Sequence, residues 1–521
     1  MAEAKRRRRN FIWVVGLCAA AALAVSGCSS PTSPSTSTPP PATTATGGDL
    51  VIGVTSEADT LLPWTATQFQ AVNIMQTLYD TLVDFDQDLN IVPGLAESWD
   101  VSTDGLTVTF HLRQGVTFHN GASFDSSDVK YSLEAIMNPD TAAVSASSLA
   151  SVDSIAAPDA STVVLTLKNP DAGLLANLAT INMAMLSSHD SLTDLAAQPN
   201  GTGPFKFSTR VANQSLKEVR NDAYWGGAPQ LDGIEFRVIP DETSIVAAMQ
   251  SGNVQMAVFD DPLVAQSAAS GNITITKTPL LSYHVLQLNA SRGPLSDVNV
   301  RLAIQCAIDR QQVLDTAAMG EGQVTGPITS PAFRSDPNAR PCPTRDLDKA
   351  AQYLAQSAYP DGVSLDTIVS QGEYSTSVNE AQNLQAQLKD ANITLNLEVL
   401  ESGAYVDRWM AGDFDAAVAL NGGRPDPDGM YYRYFTSGGS LNKVAGYSSD
   451  KLDQLFAQGK QTADVNQRKQ IYSQISDELE NQAVWIWMFT GYTYTATTSA
   501  VQGFIPMANQ SVQYLRVTSL G

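Results

Sequence analysis

From about residue 285 onward, short runs rich in β-branched residues alternate with amphipathic segments of helical length. That alternation limits the chain more than any other feature in it. The spacing predicts helices over 298–311, 347–358 and 377–391, a strand over 394–400 and a Pro-rich loop over 327–343. Strands interleaved with helices of this length predict an α/β lobe. The pattern upstream is separate. It predicts a buried strand over 50–54, a helix over 70–83 with Val72, Met75, Leu78 and Leu82 on one face, and a hairpin across 100–113 that turns at Asp104-Gly105. Further strands are expected over 163–167, 205–208 and 231–239, and a helix over 243–251 ending at Gly252. At about 150 residues per domain, 521 residues make several lobes, and no short repeat suggests a solenoid.

Charge is unevenly placed. The chain carries 31 Lys+Arg against 53 Asp+Glu, a net −22, and such a surface repels phosphate backbones, which argues against nucleic acid as a partner. Five of the basic residues, Lys5 to Arg9, stand together before an uncharged apolar stretch over 11–25 that is too short to span a bilayer comfortably. Val25-Ser26-Gly27-Cys28 follows. Small residues directly before a cysteine resemble a lipobox, where the chain is cut before the cysteine and its thiol is lipidated; an ordinary signal peptide that contains a cysteine is the alternative. Arg8-Arg9 also offers a weak twin-arginine match. Residues 1–27 are thus expected to be a lipoprotein signal peptide, and losing them would leave a net −26. Residues 28–48, Cys28 and a Ser/Thr/Pro-rich run, should be a lipid-bearing flexible tether. With no later apolar run of spanning length, the protein is expected on the extracytoplasmic face of the cell membrane, held by lipid.

Cys306 and Cys342 remain, an even pair suited to an oxidising compartment. Bridged, they would add roughly 3 kcal/mol by restricting the unfolded chain; two separately buried thiols are the alternative. No phosphate-cradling GxxxxGK[ST], no HExxH, no CxxC and no GxSxG occurs, and His111, His119, His189 and His284 are scattered. These readings give no catalytic residue, no metal site and no cofactor.

An ordered series of segments supplies the reading of function. It comprises Tyr79-Asp80-Thr81-Leu82-Val83, 92–99 (VPGLAESW), 104–116 (DGLTVTFHLRQGV), Phe118-His119-Asn120-Gly121, Gly201-Thr202-Gly203-Pro204-Phe205, Asn221 to Trp225, and 294–310 ending in Ala307-Ile308-Asp309-Arg310. The series resembles the signature of the bacterial extracellular solute-binding proteins of family 5. Most of these residues should be turns, caps and core positions. The resemblance implies a periplasmic-binding-protein-like, two-lobe α/β clamshell with an extra domain in the large lobe. Domain I would comprise 49–88, 190–280 and 491–521, domain II 89–189 and domain III 281–490. It implies a monomeric binder, not an enzyme, that delivers a solute to an ABC permease and its ATPase subunits. A peptide is the first expectation. A non-peptide solute such as a nickel complex, haem or a sugar derivative is the alternative, and a secreted hydrolase is the reading from another class.

The same resemblance points to residues of an interdomain cleft. The family holds a peptide's amino group with the Asp of a W-x-A-D-Y-x-D-P segment. Here that stretch is Leu420-Asn421-Gly422-Gly423-Arg424-Pro425-Asp426-Pro427, with Leu420 at the Trp and Gly423 at the Asp. Arg424 suits an anionic group, or else braces its loop against Asp426 or Asp428. Trp64, Phe259 and Asp260 fall at cleft edges, and Asp260 or Asp261 could take the amine. Tyr283 and His284 mark the crossing between lobes. Tyr431 and Tyr432, in an aromatic cluster, either stack on a ligand or pack as core. The run 485–489 reads as a buried strand.

Overall fold

The computed structural model describes residues 47–371 and 374–521. The expected signal peptide, Cys28 and the tether as far as residue 46 lie outside the described residues. Among those described, no helix is long and apolar enough to cross a membrane.

One strand organises the molecule. Trp485–Thr498 is buried along almost its whole length and runs through the middle of a mixed twelve-stranded sheet. Its first part pairs antiparallel with Tyr283–Leu288, and its last part with Met256–Phe259 and Ile273–Pro279. Beyond Tyr283–Leu288 the sheet continues through Ala416–Asn421, Val363–Gln371 and Ile393–Glu401. Beyond Met256–Phe259 it continues through Asp49–Val54, Gly233–Val238, Ser215–Arg220 and Phe205–Val211. The two halves meet where Leu280–Ser282 runs beside Thr490 and Gly491. Leu280 N–H donates to the Gly491 carbonyl at 3.0 Å, and the Thr490 hydroxyl lies 2.6 and 2.7 Å from the carbonyls of Leu280 and Ser282.

Alternation decides which face each strand buries. Along Tyr283–Leu288 all six residues are buried. Tyr283 and Val285 point into one apolar cluster with Trp485 and Trp487; Leu286 and Leu288 point into another with Ile486 and Met488. A strand covered on both faces has no room for solvent-facing alternation, and its two polar residues, His284 and Gln287, are buried with the rest. A separate four-stranded sheet, Ala96–Val101, Thr107–Leu112, Thr162–Leu167 and Val152–Asp159, shares one core with the half that contains Asp49–Val54. Its first hairpin turns at Gly105, whose φ of 70° favours glycine.

The motif residues cement the fold. The Asp80 carboxylate accepts from Thr202 Oγ1 at 2.8 Å, Trp225 Nε1 at 2.9 Å and Tyr224 OH at 3.2 Å, so two distant segments close on one side chain. Burial pushes the Asp80 carboxyl up. A Cβ on Gly201 or Gly203 would run into the backbone of Leu78. Arg301 donates to the carbonyls of Gln482 and Leu295, and Arg310 Nε to that of Trp487.

Element ends differ from expectation where a polar side chain intervenes. The expected helix over 298–311 is two helices, Val298–Ala307 and Arg310–Ala317, because Asp309 leaves the helix and caps the second one through Gln312 N–H. The helix expected over 70–83 is Phe69–Leu78; Tyr79 is extended and its hydroxyl lies 3.2 Å from the Leu61 carbonyl. Cys306 and Cys342 form a disulfide with a Cα–Cα distance of 5.0 Å. It ties the Val298–Ala307 helix to the chain entering Leu347–Gln356.

Candidate functional site

The crossing of the two halves leaves a cavity on each side. One, of about 430 Å³, lies between Tyr79–Thr81, Asn182, Trp225 and Asn509–Ser511 on one wall and Leu280–Ser282, Gly422, Gly423 and Pro425 on the other. The second, of about 600 Å³, lies between Asp260–Leu263 and a wall of His284, Glu321, Tyr374, Leu420, Phe489, Tyr492 and Tyr494. Both fall in the size range of small-ligand pockets.

The strand Ala416–Asn421 delivers the segment singled out in the sequence to the first cavity. Its two glycines do different things. A Cβ on Gly422 would meet nothing within 4 Å, so the backbone there is open to an approaching molecule. A Cβ on Gly423 would collide with the carbonyl of Leu281. Gly423 is therefore required by the crossing of two chain segments, and no carboxylate can stand where the family places one. Arg424 is exposed, is not among the residues lining either cavity, and forms no ion pair among the described residues. Burial, then the positive charge of Arg433, hold its guanidinium below the ordinary value. The brace to Asp426 or Asp428 is not made. Asp426 receives both terminal nitrogens of Arg468, and Asp428 lies 3.6 Å from Lys460.

The second cavity takes His284 and Asp260. The His284 ring stacks on Phe489 at 4.1 Å, and its Nδ1 lies 2.9 Å from Oε1 of the fully buried Glu380 without the geometry of a hydrogen bond. Burial pushes the Asp260 carboxyl up, and its backbone N–H donates to Glu242 Oε1 at 3.3 Å. Asp261 is the N-cap of Pro262–Ala268. At Glu321 burial is outweighed by hydrogen bonds from Lys277 and Tyr494, which hold its carboxyl low.

Other expected ligand residues line neither cavity. Trp64 is fully buried and donates Nε1–H to the Ala184 carbonyl at 2.9 Å; Phe259 is core. Tyr283 is buried, its hydroxyl 3.2 Å from Asn421 Nδ2, and Asn421 accepts from Gln287 Nε2 at 3.2 Å. Tyr431 is buried against Trp487, whose Nε1–H donates to its hydroxyl at 3.0 Å. Tyr432 lies under Lys460 Nζ, 3.4 Å from the ring centroid. Asp426 is a buried ion-pair partner. Sequence reasoning missed Asp84 and Arg516, an ion pair at 2.7 Å on the wall of the first cavity, and Glu380 behind His284. No local signal joins partners 432 residues apart. The one available hint was a lone Arg in an otherwise uncharged C-terminal stretch.

Residues 90–442 match the bacterial extracellular solute-binding proteins, family 5 (middle). The glutathione-binding protein GsiB of Pectobacterium atrosepticum is 27% identical over 485 residues, covering 88% of this chain and 92% of that protein. The structure of HbpA2 from Haemophilus parasuis superposes with a TM-score of 0.83 at 25% identity, covering 91% of this chain and 100% of that one. DppA from Helicobacter pylori, in complex with the peptide STSA, gives 0.67 at 27% identity, covering 91% and 98%. With two sheet halves joined at a narrow crossing and a family match over most of its length, this chain belongs to family 5 of the bacterial extracellular solute-binding proteins, which serve ABC importers.

Proposed function

We propose that the protein is a lipid-anchored receptor that captures a solute, a peptide in the first instance, in the cleft flanking the crossing, and presents it to an ABC permease and its ATPases. The observation that carries this reading is the first cavity. There the backbone at Gly422 is open, and Arg424, which forms no ion pair among the described residues, follows two residues later in the chain. Exposed backbone can pair with an extended peptide as an added strand would. A guanidinium so near in the chain suits its carboxylate. On this reading domain I comprises 49–88, 190–280 and 491–521, domain II 89–189 and domain III 281–490. The clamshell closes about Leu280–Ser282 and Thr490–Gly491 without turnover, as a monomer. Peptide-binding and glutathione-binding relatives support a peptide-like solute.

A non-peptide solute is the second reading. The specific observation in its favour is Gly423, whose contact with Leu281 leaves no place for the family's amine-binding carboxylate.

A thermal-shift screen of the tether-free protein against di- to tetrapeptides and non-peptide solutes tests both, because a ligand's stabilisation grows with the logarithm of its concentration over Kd. A peptide that raises the melting temperature and is recovered uncleaved supports the first reading. Hydrolysis of it, or stabilisation by non-peptide solutes alone, overturns it. Arg424→Ala should weaken an anionic ligand about tenfold, the value of one charged hydrogen bond, and unchanged affinity removes Arg424 from the site. The anchor reading requires that Cys28→Ser abolish lipid labelling; labelling that persists refutes it.

A further inference from the structure

The second cavity, of about 600 Å³, differs in charge from the first. On the first cavity's wall Asp84 is neutralised by Arg516. On the second, Asp260 and Asp261 stand together, and the Asp260 N–H donates to Glu242 Oε1 at 3.3 Å, which brings a third carboxylate beside them. Among the described residues none of these three forms an ion pair. Asp261 spends its carboxylate on capping Pro262–Ala268, through Leu263 N–H at 2.7 Å. The Asp260 carboxylate makes no hydrogen bond among the described residues; burial raises it and no cation offsets that.

The facing wall is aromatic. Tyr492 and Tyr494 line the cavity, and Lys277 Nζ lies 5.8 Å from both ring centroids while its charge is spent on Glu321, at 2.7 Å. These rings therefore already hold one ammonium. His284, in the same wall, is 8% exposed, and neither of its ring nitrogens makes a hydrogen bond among the described residues. Leu263 and Met319 line the cavity as exposed apolar side chains. Among the described residues no group of His, Cys, Asp or Glu could hold a metal ion, and rings and apolar side chains supply no oxygen ligands, so a bare metal cation does not match this lining. A cation clothed in carbon does.

We infer that the second cavity is a subsite for an organic ammonium ion, with Asp260 as its counter-charge and Tyr492 and Tyr494 against its carbon substituents. This rests on the reading that a solute is held in the cleft flanking the crossing, and it assigns that solute a cationic group. A carboxylate drawn out of water and left without a partner gains from an arriving cation, and little of that gain is lost to screening. The negative face of each ring adds to the attraction. The unpartnered His284 ring offers a hydrogen bond to a polar atom beside the charge. A solute that is anionic throughout meets three carboxylates here and is turned away.

The test uses choline as the probe, against the alcohol in which a tert-butyl group replaces the trimethylammonium and only the charge is lost. Calorimetry on the intact protein should show choline binding about tenfold or more tightly than the neutral alcohol. Asp260→Asn should weaken choline by about tenfold and leave the alcohol unchanged. Asp222→Asn removes an equal charge from an exposed site beside Arg220 and should change neither. Tyr492→Leu should weaken choline by about threefold, the value of one ring face. If circular dichroism shows Asp260→Asn to be misfolded, the comparison of choline with its isostere and the Tyr492→Leu variant decide the matter. Absence of choline binding, equal binding of the neutral alcohol, or an equal loss in Asp222→Asn would overturn the subsite. Triglycine binding, measured in parallel, keeps the two readings apart. Choline binding without triglycine binding retains the subsite and counts against a peptide solute. Triglycine binding without choline binding retains the peptide and removes the subsite.

Discussion

Replacing Asp426 decides between two roles for a residue that sequence places in the ligand site and structure places in the core. Its partner Arg468 is 5% exposed, gives both terminal nitrogens to the two carboxylate oxygens and donates Nε–H to the Gly459 carbonyl at 2.9 Å. The guanidinium also lies 5.5 Å from the Phe333 ring centroid and 5.0 Å from that of Tyr472. Removing the carboxylate leaves a buried, uncompensated cation, which costs about 3–5 kcal/mol. Asp426 also caps its helix by accepting from Asp428 N–H at 2.9 Å, which contributes about 1 kcal/mol more. Asp426→Asn keeps an oxygen for the cap and should lose about 3–5 kcal/mol. Asp426→Ala should lose about 1 kcal/mol beyond that. For a lobe of this size the shift in Tm is roughly 10 °C, readable by calorimetry without ligand. Adding Arg468→Met to Asp426→Asn should restore part of the loss, since the stranded charge is then gone. A loss below about 1 kcal/mol in Asp426→Asn, or a double variant in which the two losses simply add, would refute the ion-pair account. A tenfold loss of ligand affinity at unchanged stability would return Asp426 to the cleft.

Three further expectations are independent of the ligand. Cys306 and Cys342 should show no free thiol in the unfolded, unreduced protein, and reduction should cost about 3–4 kcal/mol for a separation of 36 residues; two alkylatable thiols would refute the bridge. Glu218 is buried with only Thr77 Oγ1 at 3.1 Å, and burial raises its pKa to about 8. Between about pH 4.5 and 8 the folded state therefore holds a proton that the unfolded state has lost. Stability should fall as pH rises through that window, by on the order of 5 kcal/mol. Glu218→Gln should flatten the slope, and an unaltered slope would refute the assignment. Gly423→Asp, which restores the family's carboxylate, should destabilise by about 1–3 kcal/mol through its contact with Leu281 rather than improve amine binding; tighter peptide binding at full stability would contradict it.

Local chemistry made much of the framework legible. The Asp104-Gly105 turn, the arrest of a helix at Gly252 and the strand beginning at Trp485 follow from backbone freedom and side-chain period. The break at Asp309 was harder. The apolar period runs unbroken across it, and only the capping bond shows that the chain has left the helix. The site was the least legible part. Tyr283 and His284 are neighbours in sequence, but strand alternation sends one to the Trp485 side of the sheet and the other to the second cavity. The Asp426–Arg468 and Asp84–Arg516 pairs join residues 42 and 432 apart, and nothing within either neighbourhood names its partner.

The strand Trp485–Thr498 also sets an order of events. The sheet lies half on one side of it and half on the other, and the strand follows all of its pairing partners in the chain. Until it arrives, Met256–Phe259 and Ile273–Pro279 lack their common neighbour, and Tyr283–Leu288 has an open edge. Such unpaired apolar edges are sticky, and pairing partners more than 200 residues apart close slowly. A nascent chain of this kind cannot finish either half early. The two halves then lock together in a single late step.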